Sequence, residues 1–416
     1  MIVMDNSVLL EKIKNSLKRS LNSTFYSHHF KDYISLIQNL HDIQQFQLLP
    51  YTNKSDLRNR LPYEFLATSP QMVRRIHSSS GTKGNPTIIF YSDNDLLIWH
   101  EHLSRVFMMA DLVPGDIFQT IVGFGLFSGG LGFQMAAEQY GLSVIPIGMG
   151  NTEKQVKFLI DYKVNCFITI SSYLPILANY LKAHDINPRS KMKLKSILIG
   201  AEPFNLKIRE DLRDFFGVPI LSVYGMSEME GPGVASECMF GDGMHIFTDS
   251  YYPEIIDPIT LKPLDEGEEG ELVLTTLSRE CMPLIRFRTG DITKLYRDSC
   301  KCNSKYGWKM DYVRSRIDDM FIVKGVNIYP CQLQELLLCY NEIEPFFQII
   351  IDKDDIVTLL ITMKNSTNTK KDKCELKIIR DIKTWFNISV KINWVSLDYF
   401  TSNTGKAQLV IDKRIF

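Results

Sequence analysis

A short run of small polar residues carries a dense chemical signal. It spans residues 77–87 (HSSSGTKGNPT) and stands just before a predicted strand. Glycines let backbone N–H groups converge on an anion, and hydroxyl groups add donors to phosphate oxygens. The run favours a nucleotide phosphate, although a solvent-exposed Ser/Gly turn has the same composition. It is not a Walker A loop, because no Gly-Lys-Ser/Thr opens a helix.

A second chemical signal is a set of thiols and one imidazole. Cys238 and His245 are separated by six residues, and Cys300 and Cys302 by one. These are good tetrahedral ligands for Zn²⁺, and a filled set leaves no open position for catalysis. We therefore predict structural zinc. The alternative is a chance alignment of four ordinary residues, since Cys-x-Cys is a weaker pattern than a Cys-x-x-Cys knuckle.

The elements that must position these residues follow an alternating pattern. Residues 1 to about 75 predict an amino-terminal helical cap. Beyond it, predicted strands alternate with helical stretches, the strands being at 87–91, 117–124, 142–148, 165–171, 195–201 and 219–225. This repetition predicts a large α/β domain with a mainly parallel sheet.

The pattern changes in the last third of the chain. Short strands between about 245 and 315 predict an antiparallel or barrel-like addition, and a small α+β domain is predicted to follow the charged junction at 314–319. The barrel-like addition includes strands at 270–277 and 284–289. The small α+β domain is expected to contain a helix near 331–340, two strands near 346–362, a helix near 374–386 and a last strand. The polar stretch 364–373 reads as an exposed loop. We expect domains at 1–317 and 318–416.

Composition limits the possible partners. The 416 residues include 47 Lys plus Arg and 48 Asp plus Glu, so the formal charge is −1. This balance gives no reason to expect a nucleic acid or an anionic membrane as partner. No apolar run approaches the roughly 18 residues that span a bilayer, and the amino terminus lacks a signal-peptide order. We expect a cytoplasmic protein whose eight cysteines are free thiols or metal ligands.

Several separate motifs resemble one known family. They are residues 79–87 (SSGTKGNPT), 224–228 (YGMSE), 286–291 (RFRTGD), 316–320 (RIDDM) with 324–327 (KGVN), and 404–407 (TGKA). Their order and approximate separation are similar to those of adenylate-forming enzymes, the acyl-CoA synthetase and adenylation-domain superfamily. Longer strings such as DLRNRLPYEFLA and SEMEGPGVASEC resemble its phenylacetate-CoA ligase branch. The resemblance extends from about residue 25 to the end.

The resemblance implies a set of nucleotide contacts. It assigns the β- and γ-phosphates to Ser79, Ser80, Gly81, Thr82 and Gly84, and other contacts of ATP or AMP to Ala201, Glu202, Pro203, Gly225 and Met226. Tyr224 would stack on adenine, Ser227 would donate to the α-phosphate, and Glu228 would offer a hard oxygen to Mg²⁺. Asp291 would accept hydrogen bonds from the ribose hydroxyls, and Arg316 would add a second contact to the ribose.

The family's catalytic lysine matches Lys406, on a mobile carboxyl-terminal domain. It would reach the attacking carboxylate and the α-phosphate, so its loss should cripple acyl-adenylate formation. Asp318 falls at the family's hinge, and Gly325 would leave room for a thiol-bearing arm. By residue type alone, an Asp or Arg at a domain junction is usually solvated or salt-bridged, and a lone Lys near the end is usually at the surface.

The acyl pocket is implied by residues 123–130. Phe124 and Phe127 would sandwich an aromatic ring and Gly130 would lie beside it, although aromatic residues of an α/β domain are more often core. The chain also departs from the family. Lys83 sits two positions before the usual loop lysine and points to phosphate or to water, and Glu230 replaces a residue that is often nonpolar. A carboxylate there would pair with a substrate amino group or with a protein cation.

The implied activity is an AMP-forming acid-thiol ligase. A small aryl or arylacetic acid would react with ATP, in the presence of Mg²⁺, and pass to coenzyme A or to a separate carrier protein. The implied oligomeric state is a monomer or a homodimer. The alternative is a non-catalytic relative that binds a nucleotide or an acyl group as a partner protein. A zinc-dependent nucleic-acid module is opposed by the neutral charge and by the lack of a basic stripe.

Overall fold

The structure, a computed structural model, describes most of the chain. The described residues are 5–78, 87–126, 128–241, 243–302, 304, 306–317, 321–323, 326–340, 342–352, 356–364, 368–401 and 409–414. Their contacts divide the chain into two compact units, Met1–Pro203 with Leu212–Tyr312, and Phe204–Asp211 with Val313–Phe416.

Helices and strands alternate along the first two thirds of the chain. The helices are α1 Asn6–Ser20, α2 Thr24–His29, α3 Ile34–Gln38, α4 Ile43–Phe46, α5 Lys54–Arg58, α6 Asp93–Met109, α7 Ser128–Tyr140, α8 Thr152–Asp161, α9 Tyr173–Ala183, α10 Pro188–Lys191 and α11 Leu206–Phe216. The strands are β1 Arg75–Ser78, β2 Ile88–Tyr91, β3 Ile117–Ile121, β4 Ser143–Ile145, β5 Cys166–Ile170, β6 Ser196–Gly200, β7 Ile220–Met226, β8 Gly231–Ser236, β9 Met244–Ile246, β10 Tyr251–Ile256, β11 Glu269–Thr276, β12 Phe287–Arg297 and β13 Trp308–Met310.

Strands β3 to β13 join in a sheet with the order β10-β11-β12-β13-β9-β8-β7-β6-β5-β3-β4. Strands β4, β3, β5, β6 and β7 are parallel neighbours, and the pairs from β7 to β10 are antiparallel. A parallel strand covered on both faces reads as a continuous apolar run, and Cys166–Ile170 is buried throughout. The predicted α/β class is confirmed, and the β-rich addition continues the same sheet.

The amino-terminal helices are fastened to the start of β12. The hydroxyl of Tyr26 lies 2.9 Å from Thr52 Oγ1 and accepts the N–H of Ile285 at 2.8 Å. The N–H of Thr52 donates to the Arg286 carbonyl at 3.0 Å, and the N–H of Arg288 donates to the Thr52 carbonyl at 2.9 Å. These bonds place the beginning of α5 next to the sheet.

Two sequence-based predictions of local structure are wrong. The strand expected at 284–289 begins at Phe287, because Arg286 has a left-handed backbone (φ 47°) and its buried guanidinium pairs with Glu254 at 2.9 Å. The loop expected at 364–373 is helical from Asn368, where α13 begins. Its polar composition resembles a loop because the solvent-facing side of a helix is also polar.

The second unit is a small α+β assembly. Its elements are β14 Ser315–Arg316, β15 Phe321–Val323, β16 Val326–Ile328, α12 Pro330–Leu338, β17 Ile343–Ile351, β18 Val357–Met363, α13 Asn368–Phe386, β19 Val390–Trp394, α14 Leu397–Thr401 and β20 Val410–Asp412. The order β19-β18-β17-β20 forms a mixed sheet. Ile349 and Leu359 of this sheet share a buried core with Ile378 and Ile382 of α13. Within the described ranges, no helix combines the length and apolar character that crossing a bilayer requires.

Candidate functional site

The carboxyl ends of the parallel strands form the edge on which the candidate site is built. Strands β3, β5, β6 and β7 run side by side in the same direction. The residues that follow them therefore meet at this edge, where open α/β sheets bind their ligands. Residues 122–126, 171–172, 201–203 and 227–230 all lie there. The predicted nucleotide and acid segments thus meet on neighbouring strands.

The turn after β6 is held by the turn after β5. Ala201 has a left-handed backbone with φ 70°. The next residue, Glu202, accepts the N–H of Ser172 at 3.1 Å with Oε2, and its carbonyl accepts the hydroxyl of Ser171 at 3.1 Å. Ala201 and Pro203 are exposed or half-buried. These bonds set the backbone of the turn while leaving its surface open to a ligand.

The predicted adenine and ribose residues contact each other. The hydroxyl of Tyr224, on β7, donates to Asp291 Oδ2, on β12, at 2.6 Å. Both side chains are buried. Gly225 follows Tyr224, and a Cβ there would lie 2.1 Å from the Gly231 carbonyl oxygen, so any side chain would push the two strands apart. Met226 ends β7 beside this close contact.

Ser227 and Glu228 form the turn after β7. The turn is a 3₁₀ segment, Ser227–Met229. Ser227 Oγ lies 3.4 Å from Ser128 Oγ at the start of α7. The Glu228 carboxylate is buried, and Lys54 Nζ lies 3.7 Å from its Oε1, an oxygen without a hydrogen bond in the described part of the chain. A buried carboxylate oxygen open to a cation fits the role predicted for a Mg²⁺ ligand.

The structure places Glu230 in the core. It is buried, and its Oε2 accepts the Tyr251 hydroxyl at 3.0 Å. Among the described residues it forms no ion pair, and its Oε1 has no hydrogen-bond partner. Burial raises the pKa of Glu230 to about 7, against the opposing charge of Arg279. The Tyr251 hydroxyl therefore holds one carboxylate oxygen, and pairing of the other oxygen with a substrate amino group stays a prediction.

The acid-binding segment lies between β3 and α7. Phe124 is 39% exposed, so its ring is open to a ligand. Gly130 lies against the same loop, since a Cβ there would meet the Gly123 carbonyl oxygen at 2.4 Å. Phe127 lies outside the described residues. Phe124 is therefore not part of the core, and its contact with a substrate stays a prediction.

The four predicted zinc ligands come together. Their donor atoms all lie within 4.8 Å of one another, with 3.5 Å between the sulfurs of Cys238 and Cys300 and 3.3 Å between Cys302 Sγ and His245 Nε2. A tetrahedral site with Zn–S bonds of about 2.3 Å separates its donors by about 3.5–3.8 Å. The set fits zinc, and it joins the segment after β8 and strand β9 to the segment after β12.

The rest of the predicted site residues are Arg316 and a group that the structure does not describe. Arg316 lies on β14 of the second unit. The others fall outside the described residues, and they are Ser79, Ser80, Gly81, Thr82, Gly84, Asp318, Gly325 and Lys406.

Two basic residues at the site had no role in the sequence-based prediction. Lys54 pairs with Glu228, and the fully buried Arg279 donates from Nη1 to the Glu228 carbonyl. Lys54 stands two residues before the string DLRNRLPYEFLA (56–67), which resembles the family. The sequence around it does not distinguish it from any other lysine at the start of a helix. Arg279 offers a weak signal, because an arginine inside an apolar region is rarely buried without a structural reason.

Family models match both parts of the chain. The model described as "AMP-binding enzyme" matches residues 35–278, and that described as "AMP-binding enzyme C-terminal domain" matches 325–414. The phenylacetate-coenzyme A ligase of Pseudomonas putida is 34% identical, covering 98% of this chain and 93% of the relative. That of Thermus thermophilus is 38% identical, covering 75% of this chain and 70% of the relative.

A solved structure shares the fold. The 2-hydroxyisobutyryl-CoA ligase, in the postadenylation state with its acyl-AMP, has a TM-score of 0.87 at 22% identity, covering 98% of this chain and 90% of that one. The matched models, the curated relatives and the arrangement of Tyr224, Asp291 and Glu228 agree with the motif-based assignment. The chain therefore belongs to the AMP-binding enzymes, as an AMP-forming acid-thiol ligase similar to the phenylacetate-coenzyme A ligases.

Proposed function

We propose that the protein joins a small aryl or arylacetic acid to ATP, releases pyrophosphate and passes the acyl group to the thiol of coenzyme A. One observation carries the proposal. The buried Tyr224–Asp291 pair and the Glu228 carboxylate share one sheet edge with the exposed ring of Phe124. The curated relatives at 34% and 38% identity support the choice of acid and of thiol.

The reaction requires two anions to meet, so positioning and positive charge are the main catalytic needs. Tyr224 would bind adenine and Asp291 the ribose, while Ser227 would donate to the α-phosphate. Bound Mg²⁺, held by Glu228, would offset the charge of the phosphates. The ammonium of Lys54 lies 3.7 Å from Glu228 Oε1, and it would add a further positive charge near the phosphates.

The proposal divides the work between two domains. Residues 1–317 would bind the nucleotide and the acid, and residues 318–416 would supply Lys406 for adenylation. Asp318 would be the hinge between them, Arg316 would contact the ribose, and Gly325 would line the path of the thiol. The phosphates would be bound by the residues assigned above within 79–84.

We also propose structural zinc at Cys238, His245, Cys300 and Cys302. Closely spaced donors support it, and a filled tetrahedral set would tie the segments around β9 and β12 together without entering the reaction. Zinc binding requires reduced thiolates, which favours the cytoplasm as the place of action.

Acid-dependent ATP–pyrophosphate exchange tests the first half of the reaction. The purified protein would be supplied with Mg²⁺ and a panel of phenylacetic, benzoic, aminobenzoic and aliphatic acids. We expect exchange to be strongest with an aryl or arylacetic acid and to be lost in Lys406→Ala while thermal stability is kept. Undiminished exchange in Lys406→Ala would refute that residue's role.

Thiol transfer tests the second half. Acyl-adenylate formed in place would be offered to coenzyme A and, separately, to a holo carrier protein. We expect the coenzyme A thioester to form. Transfer only to the carrier would overturn the choice of thiol, and nucleotide binding without exchange on any acid would favour the non-catalytic alternative.

A further inference from the structure

One backbone oxygen joins the predicted phosphate segment to the acid-binding segment. The carbonyl oxygen of Leu126 lies 3.0 Å from Nδ1 of His77 and also accepts the N–H of Ser78 at 3.0 Å. His77 and Ser78 end β1, and the chain continues from them directly into residues 79–84. Leu126 belongs to the loop between β3 and α7 that contains Phe124.

The geometry fixes the proton on the His77 ring. A carbonyl oxygen only accepts, so Nδ1 must be the protonated nitrogen. His77 is buried and burial lowers its pKa, which leaves the ring neutral near pH 7. Its Nε2 is buried and has no hydrogen-bond partner in the described part of the chain.

Aromatic neighbours fix the orientation of the ring. His77 meets Tyr91 edge to face at 5.4 Å and Trp99 at 6.0 Å between centroids. Tyr91 in turn donates its hydroxyl to the Glu230 carbonyl, and the indole N–H of Trp99 donates to the Pro232 carbonyl. The rings of Tyr91 and Trp99 pack around the imidazole and are themselves bonded to the segment after Glu228. The Nδ1–H of His77 is therefore fixed in one orientation.

The other side of the Leu126 loop is held by glycines. Gly130 of α7 packs on the Gly123 carbonyl, and Gly148 packs on the Phe124 ring. In the described residues, the two bonds to Leu126 are what fasten this loop to β1. Loss of the imidazole N–H would leave one bond, from the Ser78 backbone, to hold it.

We propose that His77 is a positioning residue that fixes the acid-binding loop to the root of the phosphate loop. This inference rests on the proposed function, because it assigns the acid to the Phe124 segment and the phosphates to residues 79–84. His77 contacts neither substrate. It sets the distance between the two segments, so that the bound carboxylate faces the α-phosphate.

Two variants separate the hydrogen bond from the ring. His77→Phe keeps an aromatic ring and removes the donor, and His77→Asn keeps a donor and removes the ring. His100→Phe is the matched control, since His100 is also buried, also bonded through Nδ1 (2.9 Å to Gln139 Oε1), and lies on α6 away from Leu126. One lost hydrogen bond corresponds to about a tenfold effect.

In acid-dependent pyrophosphate exchange we expect the KM for the acid to rise about tenfold in His77→Phe. The value of kcat should change less, and His77→Asn should recover most of the loss. A histidine with a merely structural role would lower thermal stability and leave the KM for the acid unchanged in folded protein. That result, or an equal effect in His100→Phe, would overturn the proposal.

Amide hydrogen exchange tests the same contact without any substrate. We expect faster exchange confined to residues 122–128 in His77→Phe and absent in His100→Phe. Unchanged exchange in that segment would overturn the proposal whether or not any acid is activated. Failure of the wild-type protein to exchange pyrophosphate would instead count against the proposed function alone.

A spectroscopic measurement on the wild-type protein covers the case in which His77→Phe does not fold. With ¹⁵N-labelled histidine, the signal that disappears in His77→Asn should show the neutral ring at pH 8 with its proton on Nδ1. A neutral His77 ring with its proton on Nε2 would overturn the proposal, because Nδ1 could not then donate to the Leu126 carbonyl.

Discussion

The hydroxyl of Tyr224 lies 2.6 Å from the carboxylate of Asp291, although their strands are four places apart in the sheet order. In a flat sheet, strands at that separation would be about 19 Å apart. The sheet must therefore coil between β7 and β12. The register shift at Tyr224/Gly225 and the left-handed Gly231 and Gly233 mark a place where it bends.

This contact predicts coupled effects on nucleotide binding. Tyr224→Phe should raise the KM for ATP several-fold, and Asp291→Asn about tenfold or more, since the carboxylate would also lose the ribose. The double variant should show less than the sum of the two effects, because both remove the same hydrogen bond. Pyrophosphate exchange at varied ATP measures this, and a normal KM in Asp291→Asn would contradict the ribose assignment.

Lys54→Met should lower the adenylation rate about tenfold, because it removes a positive charge from the region where the phosphates would be bound. The variant should also be less stable, because the buried Glu228 carboxylate would lose its paired cation, so the rate is measured on protein shown to be folded. The exposed pair Lys157–Asp161 provides the control Lys157→Met, which should exchange pyrophosphate at the wild-type rate. Full activity in Lys54→Met would show that the lysine serves only the fold.

The metal prediction is about one zinc per chain, measured by elemental analysis of purified protein. Cys300→Ser should lower the zinc content and reduce the melting temperature by about 2–5 °C, as expected for the loss of a few kcal/mol in a chain of this size. Cys339→Ser, at an exposed cysteine outside the cluster, is the control. Zinc well below one per chain after mild purification would remove the site.

Glu230 predicts a stability that falls as the pH rises. The folded protein holds a proton up to about pH 7, whereas the unfolded chain releases it near 4.5. Each pH unit in that window therefore costs up to about 1.4 kcal/mol. Glu230→Gln should raise the free energy of unfolding by up to about 3 kcal/mol at pH 8 and change it little at pH 4.5. Urea unfolding at both pH values checks this, with exposed Glu101→Gln as control, and equal effects at the two pH values would contradict it.

His102 predicts the opposite slope. Burial lowers its pKa to about 3, and its ring nitrogens face Ser250 at 2.7 Å and Tyr251 at 3.5 Å. The unfolded chain takes up the proton near pH 6.5, so stability should fall as the pH drops below 6.5, by up to about 1.4 kcal/mol per unit. His102→Gln should flatten this part of the curve, whereas exposed His184→Gln should not. An unchanged slope would mean that other groups dominate.

The strands of the parallel region could be predicted from the sequence because burial on both faces makes them continuous apolar runs. Cys166–Ile170 and Ser196–Gly200 are examples. The start of β12 could not, because Arg286 has a left-handed backbone and pairs with the distant Glu254, and neither feature has a local pattern in the sequence. Nor could the Tyr224–Asp291 contact, which depends on the coil of the whole sheet.

The residues of the candidate site could likewise be predicted only where the sequence carries a local pattern. Ordered motifs predicted roles for Tyr224, Glu228 and Asp291, and a simple spacing predicted the four residues whose donor atoms lie together. Lys54 and His77 contact Glu228 and Leu126, which are far away in the chain, so neither has a local pattern. The orientation of the Glu230 side chain could not be predicted either, because it is set by a hydrogen bond from Tyr251 of β10.

The paired backbone bonds between Thr52 and the start of β12 also bear on how the protein can be cut. They hold the residue that stands two places before Lys54, so the leading helices place a cation next to the Glu228 carboxylate. An expression fragment trimmed to the strand–helix core from residue 87 would lack that lysine, and adding nucleotide would not restore it.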